Sequence, residues 1–479
     1  MSNTQDLLPA GFDALKYIQR FQTGRNQSSN AMGFQVAIER WKESLKDIEE
    51  ELGDNFAPRQ HDAITRDPSA MSFFKERIQN FIRQNPEMHG VHYPNHYENL
   101  TEALFEETLG FGPLSVWFKK PTAGAKVSGR SIMFDIDGIY QEQPFSFRSL
   151  YDVERVIRYL TLIDPTKQPN RHNPDVEVDL RDGTRVAILS TGWVKQPIFT
   201  LRQYTFQTFT FAHEAEMRTI GHEAVDLFGY LSSCYLNTAV SGPVKSGKTS
   251  FVTVIVGARN AKDIVASLET DTSEIRLHKA FPERINHIHE LTVPLDRAPS
   301  VFRALLRHDA RYIVLPEGRT VEIELILMAA KRGNGFVTSF HQDRYFEDMP
   351  AEFATEILRA FPSRNYREEY KRAAKALDVV INISPGKGGR KIVTAVYVYE
   401  FNTLTNELAM HPWIRYDRDT DSWTYNSFIP EGLREHIEGL PDPDLTSAFD
   451  NFERELKKLT EAKPMLRTAP KVVPIGEVV

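Results

Sequence analysis

At 479 residues, 41% hydrophobic and 26% charged, the chain has the make-up of a soluble globular protein with material for about three domains. Its net charge of −7 excludes a global basic field, so direct nucleic-acid binding is not expected and an anionic membrane could be met only through a local patch. The single cysteine, Cys234, excludes an internal disulfide and any multi-cysteine zinc site, and reads as a small buried hydrophobe.

Residues 1–30 are polar and poorly patterned, which predicts a flexible N-terminus. They hold no apolar core of signal-peptide length, and no run anywhere approaches the roughly 18 apolar residues of a membrane span, so a cytoplasmic location is expected. Ile38, Trp41, Leu45, Ile48 and Leu52 then recur at three- and four-residue steps and stripe one face of a helix. Phe74, Ile78, Phe81 and Ile82 make a second stripe, and Leu100, Leu104 and Leu109 a third. Such stripes are buried against each other, so residues 31–110 are expected to form a helical bundle.

Gly110, Gly112 and Pro113 punctuate the chain, and the pattern changes. Ile132, Phe134 and Ile136 alternate up to Asp137-Gly138, a favoured hairpin turn, and Asp182-Gly183 gives a second between Val176, Val178 and Val186, Ile188. With a helix carrying Val153, Val156, Ile157 and Leu160 between them, residues 111–204 read as a small α+β domain. Residues 205–218 look like a linker to a domain over 219–430.

That domain opens on Ser241-Gly242-Pro243-Val244-Lys245-Ser246-Gly247-Lys248-Thr249-Ser250, which has the spacing G-x-x-x-x-G-K-[ST] of a phosphate-binding P-loop. Ala239-Val240 precede it as strand, and Phe251 to Val256 follow as a buried helix. Strand, loop and helix N-terminus together aim backbone N–H groups and the positive end of the helix dipole at one small volume. Lys248 is predicted to reach the β- and γ-phosphates, and Thr249 to place its hydroxyl on Mg²⁺. Lys245 stands where many such loops carry glycine. Either the loop is shaped unusually or Lys245 adds a second cation.

Strand and helix patterns then alternate. Ile264–Leu268 reads as a buried strand leading into Glu269-Thr270-Asp271-Thr272-Ser273-Glu274. Ile313-Val314-Leu315-Pro316-Glu317 delivers an acid at a strand end, as a Walker B segment does, and Phe336 to Phe340 is a further strand ending at His341, on the face where α/β sheets bind ligands. Val379–Ile383 and Ile392–Val398 flank the Gly386-Lys387-Gly388-Gly389 turn as a late hairpin. Residues 431–479 are expected to hold a last helix, striped by Leu445, Phe449, Phe452, Leu456 and Leu459, and a disordered tail from Pro464.

In this order of parts the chain resembles the traffic ATPases of type II and type IV secretion, type IV pilus and tight-adherence systems, from about Leu109 to Tyr425. Leu109-Gly110-Phe111-Gly112-Pro113-Leu114 is similar to the start of that family's N-terminal domain, and Asp182-Gly183-Thr184-Arg185-Val186 and Thr200-Leu201-Arg202 to its later segments. Asp271 to Glu274 resembles its Asp box, Glu317 with Arg319 its Walker B region, and Thr338-Ser339-Phe340-His341 its His box. Pro243, Val244 and Lys245, and Pro316 and Gly318 around the acid, depart from the family pattern.

The resemblance implies a RecA-like P-loop NTPase domain preceded by a small α+β domain and a helical bundle. It implies ATP and Mg²⁺ as cofactors, Glu274 as catalytic base, Glu317 on the metal, and Arg185, Arg202, Arg319 and His341 near the nucleotide. Each arginine equally suits an ordinary surface ion pair. The partners implied are further copies in a hexameric ring and a polytopic inner-membrane platform protein, with the chain at the cytoplasmic face. Two functions follow: a motor for secretion or pilus assembly, or a nucleotide-binding ring scaffold with little turnover.

Overall fold

The computed structural model describes residues 33–136, 138–190, 192–203, 208–270, 275–342, 345–386, 389–440 and 442–475. The expectations for residues 1–30, Asp137, Asp271-Thr272-Ser273-Glu274 and Lys387-Gly388 lie outside the described residues. The chain divides into two compact units, 1–205 and 206–479.

The first unit begins with helices α1 (Phe34–Leu52), α2 (Phe56–Ile64), α3 (Pro68–Gln84) and α4 (Leu100–Thr108). Ile38, Trp41 and Ile48 of α1 and Phe74 and Ile78 of α3 meet in one core. Asp67 accepts from the Ala70 N–H ahead of Pro68, and Asn99 from the Glu102 N–H, so both later helices start at side-chain caps. Sequence periodicity misses α2, which is short and buries only Phe56, Ala63 and Ile64.

Helix α4 departs most from its pattern, because it is enclosed rather than half-exposed. Glu102, Glu106 and Glu107 are all buried. They persist because Lys119 meets Glu102, Arg66 lies 3.5 Å from Glu106, and Arg148 lies 2.9 Å from Glu107.

After α5 (Ser115–Lys119) come β1 (Gly124–Ser128), β2 (Ser131–Ile136), β3 (Ile139–Ser146), α6 (Leu150–Thr161), β4 (Asp175–Asp179), β5 (Arg185–Leu189) and β6 (Ile198–Arg202). The strands form an antiparallel sheet in the order β3-β2-β1-β6-β5-β4. Its core takes Val153, Val156, Ile157 and Leu160 from α6. The Tyr159 hydroxyl donates to Thr108 O at 2.8 Å and Arg155 to Gly110 O at 2.9 Å, so helices and sheet are joined across residue 110.

The second unit contains α7 (Phe211–Glu216), α8 (Val225–Ser233), β7 (Thr238–Ser241), α9 (Lys248–Gly257), β8 (Val265–Thr270), α10 (Leu277–Ala280), β9 (Ile288–Val293), α11 (Ala298–Leu305), β10 (Tyr312–Leu315), α12 (Thr320–Lys331) and β11 (Gly335–Phe340). There follow α13 (Met349–Ala360), α14 (Tyr366–Ala376), β12 (Val379–Pro385), β13 (Lys391–Asn402), β14 (Glu407–Asp417), β15 (Ser422–Tyr425), α15 (Glu431–Glu438), α16 (Pro443–Ala462) and β16 (Lys471–Pro474). The sheet runs β15-β14-β13-β12-β7-β11-β10-β8-β9, parallel from β12 to β9 and antiparallel from β12 to β15. This is the RecA-like arrangement: the strand that feeds the loop is central, and β11 separates it from the strand that ends before Glu317.

Three expectations need correction here. Residues 205–218 are not simply a linker, since 211–216 form α7, capped by Thr210, and Phe211 packs into the core 5.5 Å from Phe228 and 5.8 Å from Phe251. The tail from Pro464 is not disordered through 475. There β16 pairs with Glu407–Met410 of β14, and Met465 and Ile475 are buried, because that sheet edge offers unpaired backbone groups to an extended segment.

The sequence also shows one late hairpin where a longer antiparallel wing exists. Pro412 in β14 masked it, and the structure accommodates this proline at an irregularity between Val396 and Tyr397 of β13. The five-residue stripe of α16 is fully buried. Cys234 is buried as expected, and burial pushes its thiol up to about 12, which keeps it unreactive.

Candidate functional site

The loop after β7 is shaped by what cannot carry a side chain. A Cβ on Gly242, which has φ +152, would stand 2.1 Å from Ile383 O of β12, and Gly247 adopts φ +92. Neither position tolerates another residue. Lys245 holds φ 65, so a lysine occupies a left-handed conformation that glycine takes freely. The loop therefore keeps a glycine-like path at 245 despite its sequence.

Val244 is 64% exposed at the tip, whereas Ser246 is fully buried and its Oγ has no hydrogen-bond partner among the described residues. Lys245→Gly is expected to weaken nucleotide binding by no more than about fivefold, because an exposed cation contributes about 0–1 kcal/mol. Isothermal titration of both proteins checks this. A larger loss would mean that Lys245 grips phosphate directly.

Lys248, the first residue of α9, is only 4% exposed. Its Nζ donates to Gly242 O at 2.9 Å and Pro243 O at 2.8 Å, and lies 3.1 Å from His341 Nδ1. The other ring nitrogen, Nε2, is 3.2 Å from Glu317 Oε1, and Arg319 Nη2 is 2.7 Å from Glu317 Oε2. One tautomer suits both ring contacts: Nδ1 accepts from the ammonium and Nε2–H donates to the carboxylate. Hydrogen bonds from His341 and then Arg319 hold the Glu317 carboxyl at about 2, against the opposing effect of burial.

The residues flanking this acid now have a reason. Gly318 N–H donates to Ser339 O at 2.7 Å, and a Cβ on Gly318 would crowd Ile323 Cδ1 at 2.8 Å and Thr338 Oγ1 at 3.0 Å. Ser339 Oγ donates to Pro316 O. The turn at 316–318 is thus stitched to the end of β11, which carries His341.

The predicted residues therefore divide. Gly242 through Ser250, Glu317, Arg319 and His341 come together at the C-terminal ends of β7, β10 and β11, the edge where open α/β sheets bind ligands. Arg185 and Arg202 belong to the first unit, where they are register partners on β5 and β6. Arg185 is buried with Asp179 3.8 Å away. Glu274 lies outside the described residues.

Sequence reasoning assigned no role to Glu269 or Glu322. With Thr270, Pro316, Glu317 and Arg319 they line a small open cleft beside the Walker B turn. Glu322 is 3% exposed; one carboxylate oxygen accepts from Thr270 Oγ1 at 2.6 Å, and the other has no partner among the described residues. The usable signal for Glu269 was its place at the end of an apolar strand. Glu322 had none, because it sits one turn into a helix that reads as apolar.

The donors at hand suit a hard divalent cation. The Thr249 hydroxyl has no hydrogen bond to another residue among those described, and the Glu317 carboxyl is ionised at neutral pH. Among the described residues no group of three or more His, Cys, Asp or Glu could hold a metal by itself. A Mg²⁺ site asks for only one or two protein oxygens, with substrate phosphates and water completing the shell.

These features define a P-loop in a RecA-like sheet, and the chain belongs to the type II/IV secretion system protein family, whose sequence profile matches residues 96–348. It is 26% identical over 175 residues to an uncharacterized protein of Methanocaldococcus jannaschii, a stretch covering 35% of this chain and 31% of that protein. The chain thus spans about a third of the curated relative it matches.

Among solved structures it is similar to the VirB11 ATPase of the Brucella suis type IV secretion system (TM-score 0.32, 17% identity, 60% of this chain, 95% of that one). It is also similar to the ATPase DotB of Legionella pneumophila (0.42, 14%, 71% and 86%) and of Yersinia pseudotuberculosis (0.43, 14%, 78% and 89%). The RecA-like fold is read from the strand order of the sheet. No helix among the described residues is long and apolar enough to cross a membrane.

Proposed function

We propose that the protein binds ATP with Mg²⁺ and hydrolyses it to drive a secretion or pilus machine. The observation that supports this most is the unbroken series Lys248, His341, Glu317, Arg319, which joins the P-loop lysine to the strand-end acid through contacts of 3.1, 3.2 and 2.7 Å. Phosphoryl transfer asks for positioned charge and a positioned water rather than covalent help.

Lys248 and the loop amides bind the phosphates, the charged oxygens of a nucleotide being stronger acceptors for an ammonium than the two carbonyls it now meets. Thr249 and Glu317 would hold Mg²⁺, which would supply positive charge to neutralise the phosphates. His341 reports on the γ-phosphate through Lys248 and Glu317. Glu274 orients the water, and Arg185, Arg202 and Arg319 are proposed to face the developing negative charge.

By the same family reasoning the working form is a hexameric ring docked on a membrane platform protein at its cytoplasmic face. Multiple-turnover phosphate release by purified protein tests hydrolysis, and negative-stain images with and without a non-hydrolysable ATP analogue test the ring. Rings that bind ATP yet release no phosphate would make the protein a scaffold rather than a motor.

A further inference from the structure

The cations around the loop differ in what holds them. Lys248 is tied to two carbonyls and His341. Arg390 is committed to Asp421 at 2.7 Å, which also binds Arg218 at 2.9 Å. Lys391 has neither a hydrogen bond nor an ion pair among the described residues.

Lys391 is the first residue of β13, opposite Pro385 on β12, and β12 pairs directly with the P-loop strand through Asn382 and Ser241. Its side chain lies along the loop: a Cβ on Gly247 would stand 2.6 Å from Lys391 Cδ and 3.3 Å from its Nζ. The Lys391 ammonium, with no hydrogen bond or ion pair among the described residues, thus sits beside the N-terminus of α9, where the helix dipole disfavours cations and favours anions. In the same loop the buried Ser246 Oγ, which a Cβ on Gly242 would meet at 2.6 Å, lacks a hydrogen-bond partner among the described residues. Loop amides at this point cradle α- and β-phosphates, while the motif lysine reaches β and γ.

We propose that Lys391 is a second phosphate-binding cation of this loop, holding the α/β end of a nucleotide from the β13 side, and therefore retaining ADP as firmly as ATP. The proposal rests on the nucleotide-binding reading above. It is a positioning role, separate from the γ-phosphate contacts of Lys248.

The test is titration of the full-length parent, Lys391→Gln and Lys391→Arg with ADP, ATP and pyrophosphate, with unfolding temperature measured alongside. Lys391→Gln should lose about tenfold in affinity for ADP and ATP alike, the scale of one charge-assisted hydrogen bond. Lys391→Arg should recover most of it. Without ligand Lys391→Gln should unfold at or above the parent's temperature, since a cation leaves a helix N-terminus, yet gain less from ADP.

Parent-like ADP binding by Lys391→Gln overturns the proposal and leaves the nucleotide reading intact, and a loss confined to ATP overturns the α/β assignment. A parent that binds none of the three ligands removes the nucleotide reading and this role with it.

Discussion

Lys248→Ala is expected to raise the dissociation constant for ATP at least about a hundredfold, because one or two charge-assisted hydrogen bonds of about 1.5–3 kcal/mol each disappear. The ammonium is almost fully enclosed and meets its loop carbonyls and His341 within 3.1 Å, so no solvent-exposed neighbour can take its place. Lys391 approaches from β13 beside Gly247 and does not restore a β/γ contact. Competition of unlabelled ATP against a fluorescent analogue, with circular dichroism to show the fold is kept, measures the effect. An unchanged affinity would mean that the phosphates bind elsewhere.

Glu274→Gln is expected to leave ATP affinity within about threefold of the parent and to lower the hydrolysis rate by about 10²–10⁴, the span assigned to a general base. The structure supports giving that task to an acid other than Glu317. Held at about 2 by His341 and Arg319, the Glu317 carboxylate is a poor proton acceptor at neutral pH and better suited to a cation. Glu317→Gln should accordingly weaken Mg²⁺-dependent ATP binding as well as turnover, so the two glutamines separate a base from a metal ligand. Phosphate release by Glu274→Gln at the parent rate would withdraw the catalytic assignment.

Much of this site was legible before any fold was known. The spacing of Gly242, Gly247, Lys248 and Thr249 and the apolar runs before Glu317 and His341 suffice to place each residue at a strand end or helix start. The departures at Pro243, Val244 and Lys245 were legible as departures but not as geometry. Only the structure shows that Lys245 keeps φ 65, and that a Cβ on Gly318 would have to push Ile323 and Thr338 aside. The burial of three glutamates on helix α4 has no signal in its apolar stripe; only the structure shows Lys119, Arg66 and Arg148 closing over them.

Sequence by itself determined the phosphate loop, the parallel strands that carry the acids, and the last buried helix. Each depends on local information: glycine where a left-handed turn is needed, unbroken apolar runs where both faces of a strand are covered, and a 3.6-residue period where one face is. Tertiary structure alone decided that His341 bridges Lys248 to Glu317, that Glu269 and Glu322 share their cleft, that Lys391 reaches the loop from a distant hairpin, and that the tail adds a strand. These facts arise from pairings between segments far apart in the chain, where strand order and register, rather than the residues' own preferences, set which side chains meet.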